Sequence, residues 1–445
     1  MAFRVRSSAR TATVARRNAI IFSLVYMVSS IWLIAFVAIA GIIIRPFNIP
    51  EFVWAVAGAV LLLLLGLITP VDALNGVRKG LDVYLFLTGM MLLAETARDQ
   101  GLFDWLAVLA TNRAGGSASR LFGLIYLVGV VVTAFLSNDA TAVVLTPAVA
   151  AAVKTANVDR PLPYLFICAF IANAASFVLP ISNPANLVIY GTHMPSLLQW
   201  LAQYGLPSVV SIAVTYAVLR FTQRADLQGS VTSSIPVPAL SAGGRLALIG
   251  IILTALVLLG ASALDAELGL PTAIAGILTS IAVLIKTRTN PWIVVKQVSW
   301  SVLPLVAGLF VLVEGLDKTG LVGYLTTLLQ EGTAHSVAQT AWISGTGLAL
   351  TCNLMNNLPA GLIVGSVIQA GSVPDMIKSF LLIGIDLGPN LSVTGSLATI
   401  LWLVALRREG IRVSAGAFLK LGIPVMLIAL LASLATVWVQ YQFHG

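Results

Sequence analysis

The chain has 445 residues, of which 58% are hydrophobic and only 9% charged, with a mean hydropathy of +0.98. Water-exposed globular chains carry about 25% charged residues, so this composition excludes a mostly soluble fold. The formal charge of +8 does not point to nucleic acid, because the basic residues punctuate apolar runs singly or in pairs. Cytoplasmic loops of membrane proteins are built that way.

In chain order, a basic tail over 1–17 (Arg4, Arg6, Arg10, Arg16, Arg17) precedes an apolar run over 18–44. That run exceeds the about 7–15 residues of a signal-peptide core, so it reads as an uncleaved first span. Nine more runs follow, at 52–69, 81–97, 162–190, 204–222, 246–263, 270–285, 298–317, 376–405 and 416–440. A bilayer crossing needs about 17–25 residues, and most of these reach it. A spanning run must satisfy its own backbone hydrogen bonds, which predicts helices; the alternation of a β-barrel is absent. Residues 118–155 and 337–371 each place two short apolar arms around a polar tip and read as re-entrant hairpins. The polar stretch 223–244, with Pro236 and Pro238, reads as a linker.

An internal repeat organises the chain. TGMMLLAETARDQGLFDWL (88–106) matches AGLFVLVEGLDKTGLVGYL (307–325), with Gly89, Glu95 and Gly101 falling on Gly308, Glu314 and Gly320 at an offset of 219. Farther on, Asn138 in FLSNDATAVVLTP meets Asn356 in CNLMNNLPAGLIV at 218. The predicted fold is therefore an all-α polytopic membrane protein of two five-helix repeats, 18–222 and 245–445. Each repeat holds a hairpin and a broken span, giving about ten spans plus two hairpins. Placing the first hairpin on the cytoplasmic side puts 16 Lys/Arg inside and four (Arg78, Lys79, Lys318, Lys378) outside, leaving out the tail. The halves then face opposite ways, as an inverted repeat requires, although the same count puts the basic tail outside.

Polar residues cluster where the repeat is interrupted. The first tip is Ser137-Asn138-Asp139-Ala140-Thr141. Asn or Asp at a helix start is ordinarily a cap, but a carboxylate within a bilayer is costly and points to function. The first broken span carries Ser182-Asn183-Pro184-Ala185-Asn186, and the second carries Asp386, Pro389, Asn390, Ser392, Thr394 and Ser396. Proline frees a carbonyl one turn back, which lipid tolerates only where a cavity, water or protein receives it. Interrupted spans at matching places in two halves point to a transporter's binding site. The second tip adds Asn356 and Asn357. The expected solute-binding residues are thus Ser137, Asn138, Thr141, Asn183, Asn186, Asn356, Asn357, Asn390, Ser392, Thr394 and Ser396, with Asp139 and Asp386 as proton carriers.

Other residues read plainly. Glu95 with Arg98, and Glu314 with Lys318, have the spacing of simple helix ion pairs. Cys168 and Cys352 lie in apolar runs without metal-ligand spacing, and His193, His335 and His444 fall in loops or at the terminus. Neither a metal nor a cofactor is expected. There is no GxxxxGK[ST] phosphate loop, so uphill transport calls for a coupled ion or for ATP hydrolysed elsewhere.

FLSNDATAVVLTP, NLMNNLPAGLIV and IGIDLGPNLSVTGSLATILW resemble the arsenical pump membrane proteins, the ArsB family of the ion transporter superfamily. The resemblance runs from about residue 50 to 440. It implies an inner-membrane exporter of trivalent arsenite and antimonite as neutral hydroxides, driven by proton exchange. It also implies a cytoplasmic arsenite-stimulated ATPase as the partner of some members. Dicarboxylate carriers of the superfamily hold Ser-Asn-Thr at both tips, whereas this chain has Ser137-Asn138-Asp139 and Asn356-Asn357-Leu358. Some arsenite permeases carry a carboxylate where this chain has Asn173, so a proton role there is not carried over. The competing readings are a sodium/proton antiporter or anion carrier of the same superfamily and, in another class, an intramembrane enzyme using Asp139 and Asp386 as a dyad.

Overall fold

The computed structural model describes residues 2–191, 194–232, 239–264 and 266–444; His193, Pro236 and Pro238 lie outside the described residues. Among the described residues every named element is a helix, and none is a strand. Among the described residues, seven helices are long and apolar enough to cross a membrane, or up to eight if a bent pair counts as one span. Ala118–Phe135, expected as a hairpin arm, is itself among the seven. Conversely, Glu51–Leu64, Leu162–Ala174 and Asn357–Ala370 are apolar but shorter. His335 closes the helix Leu321–His335 and is not in a loop.

The sequence repeat reappears in the helix boundaries. Leu102–Arg113 and Leu321–His335, Ala118–Phe135 and Val337–Met355, and the starts at Asn138 and Asn357 all sit 219 apart. Gly101 and Gly320 precede the first of these pairs at φ 73 and 84, a left-handed turn that a side chain would strain. At the tips, Ser137 and Asn356 are the N-caps, so Asn138 corresponds to Asn357 and Asp139 to Leu358. This corrects the 218 register, in which Asn138 matched Asn356. Local identity of one amide cannot fix a register; the start of a helix can.

The chain forms two compact units that cut across the repeat: residues 1–79 with 304–324, and residues 80–303 with 325–445. In the first, Ala2–Ile44 turns through Arg45 and Phe47, both at positive φ, into Glu51–Leu64. An Arg45–Glu51 ion pair closes the turn. Here Glu314 pairs with Lys79 (2.7 Å), while Lys318 pairs with Asp72 (2.9 Å). The expected Glu314–Lys318 pair is therefore replaced by two long-range pairs, because charges on the helix Pro70–Lys79 and in its first turn are available to both.

The second unit is held by helices that meet through small residues. Leu81–Asp99 lies on Gly269–Thr287, where a Cβ at Gly276 would strike the Gly89 backbone and one at Gly89 the Thr272 carbonyl. A Thr96–Ser280 hydroxyl bond (2.8 Å) lies along the same seam. Val337–Met355 meets Asp375–Leu387 likewise, through Gly345, Gly384 and Gly388. Between lipid-soluble helices, such close approach supplies the packing that hydrophobicity cannot. The two broken spans are enclosed: every residue from Pro163 to Ala174 and from Ser379 to Leu387 is buried. A helix apolar on all sides belongs in an interior.

Gly276→Leu should therefore separate the Leu81–Asp99 seam and lower the thermal unfolding midpoint by several degrees or abolish the folded yield. Gly205, where an added Cβ meets nothing within 4 Å, serves as the control. Gly205→Ala should leave the midpoint unchanged or raise stability by about 0.5–1 kcal/mol, as helix propensity dictates. Fluorescence-detected size exclusion after heating reads both.

Candidate functional site

The first tip is built by its own side chains. After Ala118–Phe135 ends, Ser137 Oγ accepts from Ala140 N (3.2 Å) and Asn138 Oδ1 from Asp139 N (2.9 Å). A π-turn, Thr141–Leu145, follows and leads into Thr146–Thr155. Thr141 turns its hydroxyl to Thr133 (2.8 Å) and the Ser137 carbonyl (3.3 Å), so among the expected solute-binding residues it serves the tip's own architecture.

The first broken span runs as Leu162–Ala174, a break, a short turn at Pro180–Ser182, then Pro184–Tyr190. Proline supplies no amide at its start, and Asn183 caps it by accepting from Ala185 N (3.0 Å). Asn186 gives its amide to the carbonyls that the break frees, Ser176 (2.9 Å), Pro180 (3.4 Å) and Leu179 (3.5 Å). Ser182 ties the break to the first tip through the Ala134 carbonyl (3.0 Å).

The second broken span, Asp375–Leu387 with a short turn at Gly388–Leu391, crosses the first. Asn183 Nδ2 donates to Asp386 Oδ1 at 2.5 Å, and the Ser176 hydroxyl stands beside the same carboxyl. Asn173 Nδ2 donates to Asn390 Oδ1 (3.0 Å), whose own Nδ2 reaches the Phe170 carbonyl (3.2 Å). Trp402 adds an indole bond to the Leu165 carbonyl (2.9 Å). Asp386 is 1% exposed, with Asn173, Asn186 and Asn390 fully buried.

A second cluster joins the second broken span to the second tip. Asn353 donates to the Ala349 and Gly388 carbonyls (both 2.9 Å) and accepts from Ser392 Oγ (2.7 Å). Thr394 Oγ1 reaches the Asn353 carbonyl (3.0 Å), Asn356 Nδ2 the Thr394 carbonyl (3.3 Å), and Asn357 N the Gly395 carbonyl (2.8 Å). Ser396 caps Leu397–Arg408 through Thr399 N (3.1 Å).

Asp139 stands apart from the crossing cluster. It lines a pocket with Ser137, Ala140, Met90, Ser299 and Glu95, whose carboxylate pairs with Arg98 (2.6 Å) as expected. The structure thus joins Asn183, Asn186, Asp386 and Asn390 at one crossing, and Asn356, Asn357, Ser392 and Thr394 at another place. Sequence reading placed Asn353 in the second tip without a binding role, and gave Ser176 and Asn173 none. For the last two the signal was weak: a lone Ser or Asn inside an apolar run. Glu95 was read only as half of an ion pair, yet it is 4% exposed and faces the same pocket as Asp139.

The model of the CitMHS family, described as citrate transporter, matches residues 34–384. The chain belongs to that family. CitMHS membership places it in the ion transporter superfamily, as a multi-pass membrane transporter of the inner membrane in bacteria, and not an enzyme. The arsenical pump membrane protein of Yersinia enterocolitica is 28% identical over 365 residues, 78% of this chain and 83% of that one. That of Escherichia coli K12 is 28% identical over 410 residues, 87% and 93%. A putative arsenical pump membrane protein of Bacillus subtilis is 24% identical over 440 residues, 92% and 99%. Among solved structures, the YdaH transporter of Alcanivorax borkumensis shares the fold with a TM-score of 0.55 at 14% identity, covering 83% of this chain and 87% of that one. MtrF of Neisseria gonorrhoeae gives 0.51 at 15%, covering 82% of each.

Asn390→Ala removes the donor to Phe170 and the acceptor of Asn173 together. Each buried group left unpaired costs about 1–3 kcal/mol. The variant should therefore unfold at a clearly lower temperature than wild type in detergent. An unchanged midpoint would mean the crossing contributes nothing to stability.

Proposed function

We propose that this CitMHS-family chain exports trivalent arsenite or antimonite, as the neutral hydroxide, in exchange for protons by alternating access of two inverted repeats. The observation that carries this reading is the chemistry of the two clusters. Their side chains are Asn, Ser and Thr with one carboxylate, Asp386, and no Lys or Arg takes part in their bonds. A small neutral polyol is held by donors and acceptors, whereas a polyanion such as citrate calls for cationic partners. The names of the relatives at 28% identity support the same solute class.

A neutral solute feels no membrane potential, so accumulation requires a coupled ion or ATP. One proton moving inward across about 100 mV yields about 2.3 kcal/mol, enough for a roughly 50-fold gradient. Asp386 at the crossing and Asp139 at the first tip are the carboxyls proposed to carry it. The solute meets the polar groups around them: Ser137 and Asn138 at the first tip, Asn183, Asn186 and Asn390 at the crossing, and Asn356, Asn357, Ser392, Thr394 and Ser396 beyond it.

Everted vesicles loaded by a proton gradient in sodium-free buffer should accumulate arsenite, and accumulation should collapse with the gradient. Asp139→Asn with Asp386→Asn should cut gradient-driven uptake by at least about tenfold, while unchanged uptake would remove both carboxyls from the mechanism. Citrate uptake in place of arsenite would favour an anion carrier of the superfamily.

Trivalent arsenic also binds thiols, yet the two cysteines, both buried, lie on separate helices of the chain. Tight thiol binding would also hold a solute that has to leave. Replacing Cys168 and Cys352 with serine should leave export within about twofold of wild type. Loss of resistance in a folded double variant would show that thiols hold the solute.

A further inference from the structure

Beside the first tip lies a cavity of about 40 Å³, walled mainly by apolar side chains such as Met90, Val143 and Leu401. Four polar residues line it: Ser137 and Asp139 from the tip, Glu95 from Leu81–Asp99, and Ser299. Glu95 is 4% exposed, and its Oε2 has no hydrogen-bond partner although Arg98 Nη2 stands 2.6 Å away. The Asp139 carboxyl is half-buried and makes neither hydrogen bond nor ion pair among the described residues; no bond joins it to Glu95. A carboxyl set in an apolar wall without a partner is costly, so something polar has to answer it.

Cavity size decides what that is. One water needs about 10–15 Å³, so the space admits about three waters and is too small for an organic ligand of several carbons. The described residues hold no group of three His, Cys, Asp or Glu that could hold a metal ion. Repeat symmetry does not account for the pair either. In the 219 register Glu95 answers to Glu314, which Lys79 neutralises, and Asp139 answers to Leu358.

We propose that Glu95 is a proton-relay residue, joined to Asp139 by water in this cavity and exchanging the coupled proton between the first tip and the end of Leu81–Asp99. As Asp139 releases its proton to the nearest water, the next water hands one to the Glu95 carboxylate. One O–H bond breaks and one forms at each step, and the water is left unchanged. Glu95 then gives the proton up on the side where Arg98 stands, and the guanidinium pairs with the carboxylate so formed. The charged groups that act on Glu95 are Arg98 and Asp99 on its own helix and Arg408 from Leu397–Arg408, and no charged group among the described residues acts on Asp139. The relay rests on the proton-coupled reading and deepens it, by naming the residue through which Asp139 exchanges its proton.

Proteoliposomes of the full-length protein separate two modes. Gradient-driven arsenite uptake needs net proton movement, whereas exchange of labelled for unlabelled arsenite at equal pH needs none. Glu95→Gln should cut gradient-driven uptake by at least about tenfold and leave exchange within about twofold of wild type, with Glu95→Asp restoring part of the loss. Unchanged gradient-driven uptake in Glu95→Gln overturns the proposal, as does equal loss of both modes, which is what a purely structural ion pair predicts. A second measurement needs neither arsenite nor a variant. Hydroxyl radicals made from bound water by X-ray radiolysis should oxidise Met90, which lines the cavity at 3% exposure, at least about fivefold faster than Met426, which is fully buried and does not line it. Equal rates would mean a dry cavity and no relay. Wild type without gradient-driven uptake would remove the export reading, and the relay would then stand or fall on the Met90 labelling.

Discussion

Inside a hydrocarbon layer, a helix cannot stop unless the protein itself receives the amides and carbonyls that the stop sets free. This chain stops its helices inside the fold repeatedly, and its polar side chains are distributed accordingly. Asn186 takes the carbonyls of one break, Asn353 takes a carbonyl at the other, and Ser137, Asn183, Asn356 and Ser396 cap the helices that restart. Around them, Gly345, Gly384 and Gly388 bring helix backbones into close approach. Buried polar groups along the broken spans are thus a by-product of interruption.

The helical, membrane-spanning class and the transporter family were legible from apolar runs and from motif strings, because bilayer thickness and backbone satisfaction leave few alternatives. The polar residues of the breaks were legible for a related reason: Asn183, Asp386 and Asn390 are anomalies in runs that otherwise read as spans. Pairing was not legible. Nothing local shows that Asn183 meets Asp386, or that Glu314 chooses Lys79 over the nearer Lys318. The tip register slipped by one residue because consecutive asparagines, Asn356 and Asn357, match Asn138 equally well as letters. Asn173 drew notice only through the family resemblance, because the helix that carries it is buried on every side and gives no periodicity to read.

The repeat shares a scaffold without sharing charge. In the 219 register, Asp139 answers to Leu358, so the carboxylate of the first tip has an apolar counterpart in the second. The break carboxylate, Asp386, likewise lies only in the second half, and its partner Asn183 comes from the first. Each half thus carries one of the two carboxylates, Asp139 at the first tip and Asp386 at the second break.

The crossing has a mechanical consequence. Asn173 with Asn390, Asn183 with Asp386, Asn390 with the Phe170 carbonyl and Trp402 with the Leu165 carbonyl all involve at least one side chain. Among the described residues, no main-chain bond joins the two broken spans to each other, whereas the second tip is fastened to its own break by Asn357 N and the Gly395 carbonyl. Side chains can release and re-form by rotating about a few torsions, with no helix unwinding. The two broken spans are therefore held to each other as a latch is, with a catch made of side-chain rotamers.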